Sequence, residues 1–160
     1  MEMPQNPLAF MVDENLLGLL RRLRMMGIDA ITSQGPDSRL YALARQSGRR
    51  ILTRDREFSL LYPAEEIYFV RGEDPKEQLV EVLKKFRLKT GLHPLSRCFH
   101  CNCLIQEVPK ESLPGKVAAK TLALYERFYE CPHCHKIFWE GSHYEKMNQD
   151  IAEILARVED

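Results

Sequence analysis

The spacing of the cysteines is the sequence feature that most constrains how this chain can fold. All five cysteines lie within 37 residues, and four of them form two Cys-x2-Cys pairs separated by 29 residues: Cys98, Cys101, Cys131 and Cys134. Two residues between thiolates let one tight turn present both sulfurs to a single ion, and two such turns complete a tetrahedral site. The wide gap is typical of the two hairpin knuckles of a zinc ribbon. We therefore predict a structural zinc ion with no open coordination position.

Other interpretations of the cysteine segment are weaker. Two unrelated cysteine pairs remain possible, whereas a redox pair is disfavoured because neither pair has the strand–helix context of a thioredoxin-like motif. Cys103 lies just after the first knuckle and has no assigned role. Three histidines are possible substitute ligands, although four cysteines already saturate the ion: His100, His133 and His135.

The bulk properties of the chain favour a globular protein that keeps its cysteines reduced. The composition is 44% hydrophobic and 29% charged. No apolar run approaches the roughly 20 residues that span a bilayer, and no signal peptide is evident at the start. We therefore expect a cytoplasmic protein without membrane contact, in which clustered cysteines indicate metal and not disulfides. The net charge of zero says nothing for nucleic acid, but nine arginines between positions 21 and 56 favour it weakly.

The first part of the chain alternates between short apolar runs and amphipathic segments. Strands are predicted over 8–12, 28–32, 50–53 and 67–70, and helices over 14–26, 37–47 and from 74 onward. This alternation predicts βαβ units and a mainly parallel sheet flanked by helices. A linker at 89–96 precedes the cysteine segment, and a last helix begins at Ser142. The predicted organisation is an α/β domain over 1–92, a zinc ribbon over 93–142 and a C-terminal helix over 143–160 that packs back.

Acidic residues follow several of the predicted strands. Asp13 comes after the first strand, Asp37 lies in the turn after the second, and Asp55 comes after the third. Active sites of open α/β sheets collect at the carboxyl ends of the strands. If the first and third strands are neighbours, Asp13 and Asp55 face each other, and magnesium or manganese would relieve the repulsion between them. Such an ion can activate water for phosphodiester hydrolysis.

Each of these residues also has an ordinary structural explanation. Asp13, Asp37 and Asp74 stand where a helix N-cap is wanted, and Asp55 could form a surface salt bridge with Arg54 or Arg56. The two arginines could instead clamp a phosphate. The prediction of a site therefore depends on the joint placement of the acidic residues.

Four stretches of the chain together resemble the Mut-seven C-terminal RNase family, in the family's order. They are "MVDENLLGLLRRLRMMGIDA", "DSRLYALARQSGRRILTRDREF", "RCFHCN" and "CPHCHKIFWEGSH". The resemblance covers roughly residues 8–147. It implies a PIN-like nuclease fold joined to a zinc ribbon, with the four paired cysteines as ribbon ligands. It also implies that Asp13, Asp37 and Asp55 match the acidic positions of the PIN-like site.

The acidic set is sparse for a PIN-like nuclease, so Glu14 or Asp74 would complete it, or catalysis is weak or absent. In the "WEGSH" stretch, His143 could contact phosphate or assist proton transfer. Trp139 could stack a base or pack the ribbon onto the sheet domain.

We predict a protein that binds single-stranded RNA and acts as a metal-dependent ribonuclease. Asp13 and Asp55 would hold magnesium or manganese, together with Asp37 as the third catalytic carboxylate, and Arg54, Arg56 and His143 would contact the RNA. Two alternatives stay open: a non-catalytic RNA-binding module that uses the basic surface and the ribbon, and a protein-interaction adaptor. The sequence does not predict the RNA substrate, endo- against exonucleolytic cleavage, or the oligomeric state.

Overall fold

A four-stranded parallel sheet forms the centre of the N-terminal half in the computed structural model, which describes residues 8–159. Its strands lie in the order β2-β1-β3-β4, and they are β1 (Phe10–Val12), β2 (Ala30–Thr32), β3 (Arg50–Thr53) and β4 (Ile67–Phe69). Phe10 lies opposite both Ala30 and Arg50, so the three strands begin at the same level. The predicted parallel sheet is therefore confirmed, with the first and third strands as neighbours.

Helices cover both faces of this sheet because successive strand residues point to opposite sides. They are α1 (Leu17–Met25), α2 (Asp37–Ser47), α3 (Arg56–Leu61) and α4 (Pro75–Lys85). On one face, Phe10 and Leu52 are buried with leucines of α1 and α4. On the other face, Met11 and Ile51 are buried with Leu40 of α2 and other apolar side chains.

The helices differ from the sequence prediction in two places. The segment predicted as one helix over 14–26 begins with a single 3-10 turn, Glu14–Leu16, before α1. The helix α3 was not predicted, because its six residues are too few to show a helical period. It begins directly after Asp55, whose side chain accepts a hydrogen bond from the Phe58 N–H at 3.1 Å.

The cysteine segment forms a small antiparallel sheet, and the last helix packs back onto the first half. The strands are β5 (Gln106–Val108), β6 (Phe128–Glu130) and β7 (Ile137–Trp139), in that order. A short helix, α5 (Ala119–Leu124), lies between β5 and β6. The final helix, α6 (Ser142–Glu159), buries Ile151 and Ile154 in the same core as α1 and α4. The predicted α/β class with a terminal helix is thus confirmed.

The predicted domain limits of 1–92, 93–142 and 143–160 stay predictions, and their outermost parts, residues 1–7 and Asp160, lie outside the described residues. Within residues 8–159, no helix combines the length and the apolar character that a bilayer crossing requires.

Candidate functional site

The four paired cysteines converge on one point between two equivalent turns. In each turn the first cysteine N–H bonds to a carbonyl five residues later, at 2.9 Å for Cys98 and 3.0 Å for Cys131. The residue after each second cysteine has a left-handed backbone, with φ of 67° at Asn102 and 64° at His135. The local spacing therefore folds each pair into the same knuckle.

The sulfur geometry of the centre fits a metal such as zinc. The ligand atoms of Cys98, Cys101, Cys131 and Cys134 all lie within 4.8 Å of one another, and the Cys98 and Cys134 sulfurs are 3.8 Å apart. Four ligands at a Zn–S distance of about 2.3 Å in a tetrahedron are also separated by about 3.8 Å. Cys103 is not in this group, and its thiol faces the Cys101 carbonyl at 3.6 Å.

Burial and hydrogen bonding shift the pKa values of two of the cysteines in opposite directions. Burial and the neighbouring thiols of Cys134 and Cys131 raise the pKa of Cys101 to about 12. Burial alone would also raise the pKa of Cys131, but N–H groups of the Cys134 and His133 backbone help to outweigh it and lower the pKa to about 7. All four sulfurs can be thiolates together only if a cation shares the site.

The first knuckle is fastened to the amino end of the parallel sheet. The Asn102 side chain accepts a hydrogen bond from the Ala30 N–H at 3.0 Å and donates one to Asp29 at 2.7 Å. Arg24 donates from α1 to the carbonyls of Ala30, at 2.8 Å, and Phe99, at 2.7 Å. Since Ala30 is the first residue of β2, the ribbon lies at the end of the sheet where the strands begin.

Asp29 and Gly27 complete this junction. Burial alone would raise the pKa of the Asp29 carboxyl, but hydrogen bonds from Arg49 and Asn102 outweigh it and lower the pKa. The Arg49 guanidinium lies 2.7 Å from the carboxylate. Gly27 has φ of 82°, and a side-chain carbon there would collide with the carbonyl of His93 in the linker. Sequence analysis missed Arg24 and Asn102, although an asparagine after a knuckle is a signal for a left-handed turn.

A second group of side chains lies at the opposite, carboxyl end of the sheet. Asp13 is only 5% exposed and accepts a hydrogen bond from the Thr53 hydroxyl at 2.8 Å. The same hydroxyl accepts one from the Asp55 N–H at 2.9 Å. Thr53, which sequence analysis did not single out, therefore links Asp13 to the residue that begins the α3 turn.

The charges of this group also act on Asp37. Partial burial, followed by the charges of Asp13, Asp55 and Glu14, raises the pKa of the Asp37 carboxyl. We call these four residues the acidic cluster: Asp13, Glu14, Asp37 and Asp55. Their carboxylates do not form a closed cage, because among residues 8–159 only the four cysteines form a group of three or more potential ligands within 4.8 Å.

Helix capping explains only some of the acidic residues. Pro36 is the N-cap of α2, and Asp37 is the first helical residue and makes no side-chain cap bond, so capping does not explain Asp37. Asp13 precedes a 3-10 turn without a side-chain cap bond. Asp74 does cap α4, by accepting from the N–H groups of Lys76 and Glu77 at 3.0 and 3.3 Å. Of the two residues proposed to complete the set, Glu14 thus acts on Asp37, and Asp74 is engaged elsewhere.

The predicted RNA-contacting residues lie in different surroundings. Arg54 donates from one nitrogen to the carbonyls of Val70, Arg71 and Gly72, at 3.2, 2.6 and 2.5 Å, and so holds the loop after β4. Arg56 is exposed, and its guanidinium lies over the Phe69 ring at 4.9 Å. Within residues 8–159, neither arginine forms a salt bridge with Asp55, so that structural explanation of Asp55 is wrong. The N-cap bond to Phe58 takes its place.

His143 is not brought to the acidic cluster by any contact among the described residues. It is exposed at the start of α6 and lines a cleft between the ribbon and α6 together with Trp139 and Tyr125. Trp139 packs at 6.1 Å from Phe128 within the ribbon sheet.

The order of these features along the chain matches a known family. Residues 8–151 match the Mut7-C RNAse domain. The chain belongs to this RNase domain family. The match spans both the acidic cluster and the four-cysteine centre, so the expected resemblance is confirmed over nearly the whole chain.

Known proteins give one further comparison. The chain is 35% identical to the human protein named Exonuclease mut-7 homolog over an alignment of 109 positions, which covers 64% of the chain. It spans only 12% of the length of that curated relative. No solved structure matches the chain. Family and relative together support a nuclease or RNA-related role.

Proposed function

We propose that this chain is a PIN-like, divalent-metal-dependent ribonuclease that hydrolyses RNA at the acidic cluster. The observation that supports the proposal is the Thr53 hydroxyl, which links the Asp13 carboxylate to the Asp55 N–H at the carboxyl end of the parallel sheet. Asp37 follows the neighbouring strand β2, and burial together with the charges of Asp13, Asp55 and Glu14 raises its pKa. The segments that follow three neighbouring strands contribute these side chains, and such segments are the usual origin of an α/β active site. Membership of an RNase family supports the same chemistry.

The donor set of the acidic cluster suits magnesium or manganese. Magnesium prefers oxygen ligands and keeps several waters, so one or two carboxylates are enough and a closed cage is not required. Asp13 and Asp55 would hold the ion, which when bound would activate water and neutralise charge on the phosphate. The fit is electrostatic as well, because burial and then the charges of Asp13, Asp55 and Glu14 raise the Asp37 pKa, and a cation would offset those charges.

The chain's own residues would divide the remaining work. The Thr53 hydroxyl orients the buried Asp13 carboxylate, and the Phe58 N–H orients Asp55. Because its pKa is raised, Asp37 keeps a proton more readily than an ordinary aspartate, which suits a group that exchanges one with solvent. Arg56 is the arginine available to meet phosphate, whereas Arg54 would act by holding the loop after β4.

A non-catalytic RNA-binding module is the second candidate. The open spacing of the acidic cluster favours it, since the described carboxylates are less tightly gathered than the cysteines. In such a module, His143 would contact RNA on the ribbon side and would have no catalytic role.

Three further parts of the proposal depend on the sequence alone: the structural role of the zinc, the preference for single-stranded RNA and the cytoplasmic location.

Replacement of Asp55 by asparagine tests the proposal. Asp55→Asn removes one charge but keeps the α3 N-cap, because asparagine caps as well as aspartate. We expect manganese-dependent cleavage of single-stranded RNA to fall at least about 100-fold, which is about 2.7 kcal/mol of barrier. RNA binding should be unchanged or tighter. The measurement is a cleavage time course with manganese and with chelator, beside a binding titration.

Asp74→Asn is the matched control, because Asp74 also caps a helix but lies outside the acidic cluster. It should cleave like the wild type. Cleavage by Asp55→Asn at the wild-type rate, or wild-type cleavage that ignores chelator, would contradict the enzyme. Binding without any cleavage would support the RNA-binding module, and absence of both would leave the protein-interaction adaptor.

A further inference from the structure

A basic groove runs along the open edge of the parallel sheet. β4 is the last strand of the order β2-β1-β3-β4, so one of its sides has no neighbouring strand. Beside it lies a groove of about 370 Å³ between α3 and the end of α4. Four of its lining side chains are basic, none is acidic, and the basic ones are Arg50, Arg56, Arg71 and Lys85.

The four basic residues are spread along the whole edge. Arg50 begins β3 and Lys85 ends α4, so both mark the amino end of the strands. Arg71 follows β4, and Arg56 follows Asp55 of the acidic cluster, so these two mark the carboxyl end. By the register of β3 and β4, Arg50 and Arg71 are five strand residues apart, or roughly 15 Å. The groove therefore begins beside the acidic cluster and leads away from it.

Aromatic rings hold three of these cations without neutralising them. Arg56 lies 4.9 Å from the centre of the Phe69 ring, Lys85 lies 5.7 Å from that of Tyr68, and Arg50 lies 5.2 Å from that of Phe86. None of the four groove cations forms a salt bridge with a described residue. A cation held on a ring keeps its full charge and has already lost part of its side-chain freedom, which lowers the cost of binding an anion.

Several basic side chains elsewhere on the chain are neutralised by carboxylates, unlike those of the groove. Arg45 pairs with Glu66, Lys76 with Glu153 and Lys89 with Glu159, at 3.4, 2.9 and 2.6 Å. The acidic residue behind the groove, Glu81, is occupied by hydrogen bonds from the Tyr68 hydroxyl and the Gly72 N–H, both at 2.8 Å. The positive charge of the groove is thus left for a ligand.

We propose that the β4 groove binds the backbone of single-stranded RNA and guides it to the acidic cluster. The proposal rests on the proposed function and deepens it by assigning the substrate its path. Guanidinium planes next to aromatic rings suit unpaired nucleotides, which offer both phosphates and stackable bases. An acidic peptide would pair with the same cations, but it would leave the aromatic rings beside them without a stacking partner.

Neutralisation of the groove tests this path by binding alone. The probe is a roughly 12-nucleotide oligouridylate, a length within the known range of single-strand sites. It is titrated without added magnesium or manganese, so that no cleavage occurs and the four-cysteine centre keeps its metal. The groove variant carries Arg50→Gln, Arg71→Gln and Lys85→Gln, and leaves Arg56 and the acidic cluster untouched. The matched control removes three charges outside the groove with Arg21→Gln, Arg22→Gln and Lys146→Gln.

Salt dependence is the readout that separates the two variants. Three lost phosphate contacts on a single strand lower the slope of log K against log salt by about 2. Between about 50 and 200 mM salt, the wild-type affinity should therefore fall about 16-fold more than that of the groove variant. The control variant should keep the wild-type slope. Melting curves check that both variants are folded. If the triple variant unfolds, Lys85→Gln alone replaces it, and the expected change in slope is then about 0.7.

Other outcomes would overturn the proposal. Equal slopes for groove and control variants exclude the groove as the RNA path, whatever Asp55→Asn does to cleavage. If polyaspartate of matched charge displaces the oligouridylate as strongly as unlabelled RNA does, the groove is assigned to an acidic protein partner instead. Equal competition by duplex RNA removes the single-strand preference. On the unaltered protein, bromouridine crosslinks should fall on the peptide that contains Tyr68 and Phe69, and crosslinks confined to the ribbon would also contradict the path.

Discussion

The four-cysteine centre and the acidic cluster lie at opposite ends of the same sheet and are built in opposite ways. In the cysteine centre, short turns bring the ligand atoms within 4.8 Å of one another. In the acidic cluster, carboxylates from the segments after three strands raise the pKa of Asp37 in addition to burial, and they do not form a closed cage among the described residues. A closed set of soft sulfur ligands favours a permanent structural ion, whereas open carboxylates leave room for water and a phosphate. The comparison predicts that one centre maintains the fold and the other costs it stability.

Removal of a cysteine ligand should have the largest effect on the molecule. Cys131→Ser should lose the bound metal and unfold the ribbon, because structural zinc contributes about 10–16 kcal/mol in small zinc-binding peptides. This contribution is as large as the free energy of unfolding of a typical whole domain, which is about 5–15 kcal/mol. Elemental analysis and thermal melting measure the two effects. Cys103→Ser is the control, and it should keep both the metal and the melting curve. A full metal content in Cys131→Ser would refute the assignment.

Loss of the knuckle–sheet junction should have an intermediate effect. Asn102→Gly keeps a residue that tolerates the left-handed backbone but removes the hydrogen bonds to Ala30 and Asp29. Buried partners left unsatisfied should cost about 2–4 kcal/mol in a denaturant titration, while the zinc content stays constant. His135→Gly, at the equivalent exposed position of the second knuckle, should cost nothing. Equal losses in the two variants would show that backbone geometry and not the junction is responsible.

Acid should weaken the same junction. The pKa of Asp29 is lowered in the folded state, so its contribution to stability is present above the pKa of an ordinary aspartate, about 3.9. It is lost as the pH falls through the lower folded value. The stability difference between wild type and Asn102→Gly should therefore be larger at pH 7 than at pH 3. A difference that does not change with pH would mean that Asp29 does not contribute.

Relief of repulsion in the acidic cluster should have the smallest effect, and its sign should be opposite. The pKa of Asp37 is raised, so its ionisation as pH rises through the folded value removes stability. Asp37→Asn should therefore raise the melting temperature at pH 7 by roughly 2 °C, and by nothing near pH 3. Asp74→Asn should show no such rise. Added manganese should bring the wild type closer to the variant, and a variant that melts lower at pH 7 would contradict an open repulsive cluster.

Several parts of the fold and the site follow from local sequence pattern. The alternation of apolar runs and leucine-rich segments predicted the parallel sheet, and the two-residue spacing predicted which four cysteines converge. Short or context-dependent features did not follow. The six residues of α3 show no helical period, and Asp37 resembles an N-cap by position although Pro36 takes that role. Arg54 resembles a phosphate ligand, but its partners are carbonyls 16 to 18 residues away.

The sequence by itself determined the two kinds of ligand set and the order of elements that carries them, because both depend on residues close together in the chain. Only the tertiary structure decided where the two centres lie relative to each other. The ribbon docks through Asn102 on Ala30, 72 positions earlier, and this places it at the amino end of the sheet. Asp13 and Thr53, 40 positions apart, meet at the carboxyl end. Contacts of this range arise from the packing of whole elements, and no local period or spacing encodes them.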